Sequence, residues 1–382
     1  MNDNKNSNIT ITEVKTRKDI REFLDFPLRL YKNCPQFVPP LYSEEKQMFR
    51  ADYHYYSTCE TVFFLAKRDG RTVGRIQGIL QKASNEKYGQ KRVRFTRFDC
   101  IEDISVAEAL FRTLEEWTVS KGMDTVVGPL GFSDLEREGM LIEGFDRLAT
   151  FEEQYNYPYY PEFVSKLGYV KEVDWTESMI YAPDPEQDDG KLERIAAYVM
   201  KKQDLHVVRT KSTKEMLVKY KDQIFNIIDR AYERIYGTVP FTDEMKEALV
   251  KNFNLVIDMR YVSMVADKND RLVCFGLCFP SIAKAVQKSG GHLTPAAIIR
   301  LLKAVRNPEI IDLALIGVDP DFENLGISAI VASMLKERLK QPGIKFAETN
   351  LNLEHNMQIQ NLWKRFKEVK HKRRRSYVKK IG

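Results

Sequence analysis

Apolar and polar positions follow the same pattern in two separate stretches of this chain. The first stretch reads TVFFLAKR, then Asp69-Gly70, then RTVGRIQGIL; the second reads YVSMVADK, then Asn269-Asp270, then RLVCFGLCF. Apolar runs of this length predict β-strands, and two turn-forming residues between such runs predict a tight hairpin. The chain therefore contains two predicted hairpins, one in each half.

Similar elements are predicted around each hairpin from the spacing of apolar residues. In the first half they are a strand at Ile9–Val14, a helix carrying Ile20, Phe23 and Leu24, a proline-rich loop at Asn33–Leu41, a strand at Val93–Cys100 and a helix at about Ser105–Ser120. In the second half they are a strand at Ile310–Val318, a helix at Leu325–Leu339, a strand at Lys345–Leu351, a helix at Asn356–Phe366 and a final strand containing Ser376-Tyr377-Val378. The matching order indicates an internal duplication.

A duplication of this kind predicts two domains, and 382 residues exceed what one hydrophobic core usually organises. The polar, acidic segment Ala182–Lys191 is typical of the edge of a linker, and a helix at Leu192–Lys202 follows it. We predict an N-terminal domain at 1–182, a linker and helix at 183–204, and a C-terminal domain at 205–382. Helices alternating with strands place both in the α/β or α+β class.

Charge and composition restrict the possible partners. The net charge of +6 is concentrated at the end of the chain, where ten Lys or Arg residues from Lys364 onward face one acid, Glu368. This tail can attract nucleic acid, but a terminal basic strand is more typical of a solvated sheet edge. No apolar run is long enough to cross a membrane, so we expect no membrane partner. Five cysteines without a metal-like spacing predict free thiols, no metal site and a cytoplasmic location.

The segment Gly317–Leu339 carries the candidate chemistry. It reads GVDPDFENLGISAIVASMLKERL, which predicts a strand end, a short polar turn and the start of an amphipathic helix. The unpaired N–H groups and the dipole of a helix N-terminus favour a pyrophosphate at such a turn. An ordinary strand-to-helix turn has the same pattern, so the segment alone leaves both interpretations open.

This segment resembles the acyl-CoA signature of the GCN5-related N-acetyltransferase (GNAT) superfamily. In that signature a Gln or Arg, two residues, a Gly, one residue and a Gly or Ala surround the CoA pyrophosphate. Aligned on Gly326, Glu323 takes the Gln/Arg position and Ser328 the last position, while Asn324 replaces a frequent extra glycine. The resemblance implies that acyl-CoA binds at the residues Val318, Glu323, Asn324, Leu325, Gly326, Ile327 and Ser328. It also implies that Asn356 lies near the CoA arm.

A wider resemblance covers nearly the whole chain. CPQFVPPL, GPLGFSDLEREGMLIEGFD, YNYPYYPEFVSKLGY and YGTVPFT are similar, in this order, to a group of largely uncharacterised bacterial tandem-GNAT proteins. It implies two tandem GNAT-like domains, each a mixed, mostly antiparallel sheet flanked by helices. The turn Asp99–Ser105 of the first domain has no glycine and three carboxylates, so we expect it not to bind CoA.

Two carboxylates are candidates for the general base. Asp312 lies on the strand before the turn and Glu348 on the strand after the helix, where GNAT enzymes can use a carboxylate to deprotonate the acceptor amine. The commoner interpretation of each is a solvated carboxylate at a strand edge. GNAT enzymes often have a tyrosine after the leucine of the last predicted helix, and it protonates the departing thiolate. This chain has Trp363 there, and an indole cannot supply that proton.

The tyrosines between Tyr155 and Tyr160 are expected to pack on the sheet.

These observations lead to three functional hypotheses. The first is an N-acyltransferase that uses acetyl-CoA or another acyl-CoA, without metal, to modify a small-molecule or peptide amine. The second is a degenerate GNAT pair that binds a ligand or regulates, favoured by Glu323, Asn324 and Trp363. The third is an aminoacyl-tRNA-dependent transferase, disfavoured because the chain lacks the long charged helical hairpin such enzymes often carry. The oligomeric state is not predicted.

Overall fold

The computed structural model describes residues 9–186, 188–233, 235–253 and 257–382. Within these residues the chain forms two compact units. Unit 1 contains the residues up to Trp175 together with Ala283–Ile298 and Lys372–Gly382, and unit 2 contains Thr176–Ile282 and Ile299–His371. The sequence-based division at 183–204 stays a prediction. It includes Gln187, and the polar start of the chain includes 1–8, which lie outside the described residues.

Unit 1 is built on the elements of the first half. Its strands are β1 (Ile9–Glu13), β2 (Cys59–Arg68), β3 (Arg71–Gln81), β4 (Arg92–Cys100), β5 (Thr125–Gly128) and β6 (Met140–Glu143). Its helices are α1 (Arg17–Leu30), α2 (Tyr42–Gln47), α3 (Lys82–Tyr88), α4 (Ile104–Ser120) and α5 (Tyr159–Lys166). A further strand, β7 (Val170–Tyr181), begins in unit 1 and ends in unit 2.

The second half repeats this series. Its strands are β8 (Leu205–Val207), β9 (Val262–Asp267), β10 (Leu272–Pro280), β11 (Ile310–Val318), β12 (Phe346–Thr349), β13 (Asn352–Leu353) and β14 (Lys367–Lys380). Its helices are α6 (Lys191–Lys202), α7 (Thr213–Ala231), α8 (Asp243–Phe253), α9 (Ala283–Gln287), α10 (Pro295–Arg306), α11 (Ile327–Leu339) and α12 (Met357–Trp363). Single 3-10 turns occur at Met259–Tyr261 and Pro320–Phe322.

The strands of the two units have the same order and orientation. Unit 1 has the order β1-β2-β3-β4-β5-β14 and unit 2 the order β8-β9-β10-β11-β12-β7. Neighbouring strands are antiparallel, except that β4 is parallel to β5 and β11 is parallel to β12. Both predicted hairpins are confirmed as β2–β3 and β9–β10, and both occupy the same place in their sheets. The predicted class, a mixed and mostly antiparallel sheet flanked by helices, is also confirmed.

The β2–β3 turn and the packing of β3 both follow from glycine. Asp69 and Gly70 adopt positive φ angles of 51° and 75°, which an Asp-Gly pair tolerates. On β3, a Cβ atom added to Gly78 would lie 2.4 Å from the Leu114 side chain, and one added to Gly74 would lie 2.8 Å from that of Val106. Helix α4 therefore packs directly on the β3 backbone at these two positions.

The last strand, β14, corrects the expectation of a solvated basic edge. Its residues Tyr377–Lys380 pair with Thr125–Gly128 of β5, inside the sheet of unit 1. Lys372, Arg374 and Ser376 are buried, and Arg375 donates to Asp174 at 2.7 and 3.0 Å. The expectation was wrong because it was drawn from charge alone, whereas buried carboxylates compensate these cations. The strand presents fewer free cations to a nucleic acid than its sequence suggests.

The tyrosine-rich loop before α5 packs on the sheet of unit 1, as expected. Tyr160 is fully buried in the core, and its hydroxyl accepts from the backbone N–H of Cys100 at 2.9 Å. Tyr159 donates to the Cys100 carbonyl at 2.8 Å. These bonds satisfy the two hydroxyls inside the core.

Opposite faces of the unit 2 sheet are covered by different helices. Helix α11 packs through Ile327, Ile330 and Val331 together with Val199 of α6, and α7 packs through Phe225 and Ile228 against Phe275 and Leu277 of β10. The helix predicted at Leu325–Leu339 begins two residues later, at Ile327, because Gly326 adopts a left-handed conformation at its N-cap.

Candidate functional site

The predicted CoA turn is a sharp reversal between β11 and α11. After Val318 the chain makes the 3-10 turn Pro320–Phe322, and Asn324 and Gly326 then adopt positive φ angles of 62° and 83°. Asn and Gly are the residues that adopt this conformation at the smallest cost. Gly326 is the N-cap of α11 and no side chain caps the helix.

The backbone N–H groups at the start of α11 are available to a ligand. Within the described chain, the N–H groups of Gly326, Ile327 and Ser328 have no hydrogen-bond acceptor. Those of Glu323 and Leu325 bond instead to the carbonyls of Pro320 and Phe322 at 3.2 and 3.4 Å. Three of the predicted cofactor-binding residues therefore present donors at the positive end of the α11 dipole, an arrangement that binds anions.

Glu323 and Leu325 lie exposed on this turn. Among the described residues, no side chain forms a hydrogen bond or ion pair with the Glu323 carboxylate. A free carboxylate one turn away from three free N–H groups opposes the binding of a phosphate, at a cost on the order of 1–4 kcal/mol when the charges are about 4 Å apart.

Four charged side chains that sequence analysis did not single out hold the turn in place. Asp319 accepts from Arg230 at 2.7 Å and from Arg271 at 2.6 Å, and Asp321 accepts from the same two guanidinium groups at 2.7 and 2.5 Å. Asp319 also accepts from the backbone N–H of Asp321 at 3.0 Å. Arg230 belongs to α7 and Arg271 precedes β10, so this four-residue cluster ties the turn to two other elements. No local pattern links residues so distant in the sequence.

Asp312 and Glu348 lie side by side in the centre of the unit 2 sheet. They are register partners on the parallel strands β11 and β12, so their side chains lie on the same face. Asp312 is 6% exposed and Glu348 is 8% exposed. The interpretation as solvated strand-edge carboxylates is wrong for both, because β10 and β7 pair with the outer sides of these strands.

His371 joins Glu348 at the start of β14. The two side chains are 4% and 10% exposed, and His371 Nε2 lies 3.1 Å from Glu348 Oε1. The imidazole and the carboxylate therefore lie next to each other in a buried part of unit 2. The spacing of the histidines in the sequence does not predict that His371 contacts Glu348. The contact depends on how the strands are arranged in the folded chain.

The two remaining predicted residues have structural roles. Asn356 is the N-cap of α12, and its side-chain oxygen accepts from the Ile359 N–H at 3.2 Å. This bond leaves the carboxamide N–H groups of Asn356 available. Trp363 is buried in the core of unit 2 and its indole donates to Asn352 at 3.2 Å.

The corresponding turn of unit 1 is closed by its own side chains. Asp103 is the N-cap of α4, accepts from the Ser105 N–H at 3.0 Å and pairs with Arg68 at 2.7 Å. Asp99 is buried against Arg75 at 2.8 Å and accepts from the Tyr31 hydroxyl at 2.9 Å. The Asp103 carboxylate therefore occupies the N-terminus of α4, whereas no side chain caps the N-terminus of α11.

A second polar site, inside unit 1, was not found from the sequence. A small cavity of about 30 Å³ lies among α1, α2, the loop between them, β3, β4 and the loops after β5 and β6. It is lined by Pro27, Phe37, Pro40, Glu45, Arg75, Thr96, Arg97, Asp99, Glu136, Arg137, Gln154 and Tyr155. Glu45 accepts from Arg97 at 2.9 and 2.8 Å. Burial alone would raise the pKa of Glu45, but the Arg97 guanidinium lowers it to about 2.

Nearby carboxylates have the opposite shift. Burial, with the Glu152 charge as the next cause, raises the pKa of Glu44 to about 7, and burial also raises the pKa of Glu136 and Glu152. Segments far apart in sequence form this cavity. Its only sequence signal is the GFSDLEREG run, whose composition does not reveal which carboxylates are paired.

Two known proteins are similar to this chain in sequence over most of their length. No protein-family model matches the chain. Protein YghO of Escherichia coli (strain K12) is 27% identical over 384 residues, covering 96% of this chain and 94% of that protein. A protein of Caulobacter vibrioides named bacterial ceramide synthase is 27% identical over 331 residues, covering 84% of this chain and 83% of that protein.

Solved structures share the architecture across nearly the whole chain. A tandem GNAT protein from the clavulanic acid biosynthesis pathway superposes with a TM-score of 0.54 at 13% identity, covering 98% of this chain and 99% of that one. A GCN5-related N-acetyltransferase from Anabaena variabilis superposes with a TM-score of 0.52 at 10% identity, covering 98% and 73%. The chain has the tandem GNAT fold, as the resemblance of its sequence implied.

Two absences are found among the described residues. None of the described helices is long and apolar enough to cross a membrane. The same residues contain no cluster of three or more His, Cys, Asp or Glu side chains able to hold a metal ion.

Proposed function

We propose that this chain transfers an acyl group from acyl-CoA to an amine, and that unit 2 binds the acyl-CoA. The observation that supports this most directly is the uncapped start of α11, with free N–H groups at Gly326, Ile327 and Ser328. Val318 and the Glu323–Ser328 turn surround the pyrophosphate, and the free amide N–H groups of Asn356 bind the pantetheine arm. Attack of a bound amine on a thioester mainly requires positioning, which these contacts supply.

Asp312 and Glu348 are the proposed general bases. Either can accept the proton that the amine loses as its nitrogen attacks the thioester carbonyl, and His371 can pass that proton on from Glu348. The thiolate of CoA leaves as the amide forms. Since Trp363 lies in the core and has no acidic proton, the thiolate takes its proton from water.

Binding can be tested with two serine variants of the same helix. Ser328→Asp puts a carboxylate among the free N–H groups, where it stabilises the helix but repels a phosphate. We expect calorimetry to give a Kd for acetyl-CoA at least tenfold weaker for Ser328→Asp. The matched control Ser333→Asp lies further along α11 and should leave the Kd unchanged. Equal effects in both variants, or no acyl-CoA binding by the unmodified protein, would reject this proposal.

Catalysis requires a separate test. Glu348→Gln keeps the shape of the side chain and removes the base, so we expect kcat to fall about a hundredfold with little change in the KM for acyl-CoA. If Asp312→Asn has this effect instead, Asp312 is the base. If neither substitution changes kcat, neither carboxylate takes the proton.

The acceptor is the least defined part of the proposal. The similar Caulobacter protein is named a ceramide synthase, and ceramide synthesis joins a fatty acyl group to the amino group of a long-chain base. An assay should therefore offer both acetyl-CoA with small amines and long-chain acyl-CoA with a sphingoid base. If product forms with only one of these two donor–acceptor pairs, that pair identifies the class of the acceptor.

A binding module without turnover is the second candidate. The free carboxylate of Glu323 and the core position of Trp363 favour it, because both depart from the catalytic pattern of the fold. Binding of acyl-CoA without any product across the acceptor set above would support this alternative over the transferase.

A further inference from the structure

Helix α10 exposes the side chains that a surface helix normally buries. Among its described residues, Ala297 is the one fully buried position. Ile298, Ile299 and Leu302 are 46%, 68% and 65% exposed, and Leu293, just before the helix, is 41% exposed. Contiguous aliphatic exposure of this kind marks an interaction surface.

These apolar residues form one stripe along the helix. Ile298 and Leu302 are four positions apart and Ile299 is three positions from Leu302, so the three side chains are neighbours on the helix surface. Lys303 follows Ile299 by four positions and Arg306 follows Leu302 by four, which places cations beside and beyond the stripe. The helix is thus amphipathic, with its apolar side turned towards solvent.

The segment that carries the stripe has charged residues of a single sign. From Ser281 to Pro308 the sequence contains five Lys or Arg residues and no Asp or Glu. The residues concerned are Lys284, Lys288, Arg300, Lys303 and Arg306. An apolar stripe bordered by cations is the pattern of a helix that lies in the interface of an anionic membrane.

We propose that α10 docks this protein onto an anionic lipid surface, with Ile298, Ile299 and Leu302 inserted among the acyl chains. Lys303 and Arg306 contact the lipid phosphates. This departs from the sequence-based expectation of no membrane partner, which considered only spanning segments. The proposal concerns attachment to one face of the bilayer and does not depend on the proposed enzyme activity.

The charges favour a lipid surface over a second copy of the chain. In a symmetric dimer the same patch meets itself, so the cations of two α10 helices would face each other. Like charges at such short range repel. An anionic bilayer supplies both the apolar layer and the opposite charge.

Vesicle flotation with the full chain tests this proposal. We expect the protein to float with vesicles of phosphatidylcholine and phosphatidylglycerol and to remain unbound with phosphatidylcholine alone. The double variant Ile299→Ser, Leu302→Ser should lower the partition coefficient at least tenfold, because two aliphatic side chains no longer insert. Lys303→Gln alone should lower it about fivefold, and this loss should shrink at high salt.

The matched control is Val218→Ser on α7, where an isolated valine is 79% exposed. It should bind vesicles as the unmodified protein does. Absence of binding by the unmodified protein, or equal losses in the control and the double variant, would overturn the proposal. A dimer in light scattering that the double variant converts to a monomer would assign the stripe to a second copy. Capture of α10 by an acidic protein without vesicle binding would likewise overturn it.

Discussion

The charge cluster that holds the predicted CoA turn can be broken by the substitution Asp319→Asn. The Asp319 side chain is 5% exposed and accepts from Arg230 at 2.7 Å and from Arg271 at 2.6 Å. Asparagine keeps the size and one acceptor oxygen. It loses the charge, however, and turns an N–H₂ group towards one of the two guanidinium groups.

The cost follows from the number of bonds and from their burial. A hydrogen bond to a charged partner contributes about 1.5–3 kcal/mol, and an unmatched donor next to a buried group adds a comparable penalty. Partial exposure of the two arginines limits the loss, since water can solvate them once released. We therefore expect Asp319→Asn to lower the free energy of unfolding by about 2–4 kcal/mol.

Urea unfolding followed by tryptophan fluorescence measures this loss, and Asp321→Asn is the matched control. Asp321 contacts the same two arginines, but its side chain is 52% exposed. The control should have a much smaller effect, which disappears at high salt because exposed charges are screened within about 10 Å at 0.1 M. The loss in Asp319→Asn should persist at high salt.

Equal losses in the two variants would contradict this reasoning, since burial would then not determine the strength of the cluster. A stable Asp319→Asn variant with weakened acyl-CoA binding would have a different meaning. It would show that the cluster shapes the turn without contributing to the stability of unit 2.

Three further outcomes follow from positions described above. Glu323→Gln should tighten acetyl-CoA binding about fivefold or more at low salt, with Glu323→Arg tighter still; calorimetry that finds no change would mean that the carboxylate points away from the phosphates. The raised pKa of Glu44 means that the folded protein holds this proton more tightly, so stability is lost as the pH rises through about 7. Urea unfolding at pH 5 and pH 8 should therefore show Glu44→Gln gaining on the order of 1–3 kcal/mol over the unmodified protein at the higher pH only. Gly78→Ala should destabilise unit 1 by about 1–3 kcal/mol in a thermal melt, because the added Cβ meets Leu114 at 2.4 Å; an unchanged melting temperature would mean that α4 moves away freely.

Local rules predicted much of the fold. The Asp69-Gly70 and Asn269-Asp270 turns, the helix after Val318 and the order of elements in both halves depend on residues close in sequence. The structure contains all of them. The basic final strand was misjudged because its partners are distant. Its burial depends on Asp174 and on pairing with β5, and no local pattern encodes either.

The candidate site shows the same division. The turn from Glu323 to Ser328 could be found because consecutive residues form it. The pairing of Glu348 with His371 and the ties from Arg230 and Arg271 to Asp319 required the strand register and helix packing. Similarly, the exposure of α10 is a property of tertiary packing, since its apolar spacing alone would suit a buried face.

The position of β14 has a consequence for synthesis on the ribosome. Unit 1 needs residues 377–380 to cover the open side of β5, and these emerge after nearly all of the second half has been made. Until then the nascent chain presents an unpaired β5 edge, which can capture other strands. Completion of the unit 1 strands therefore waits for residues 377–380, and deletion of these four residues should send the first half into aggregates or chaperones.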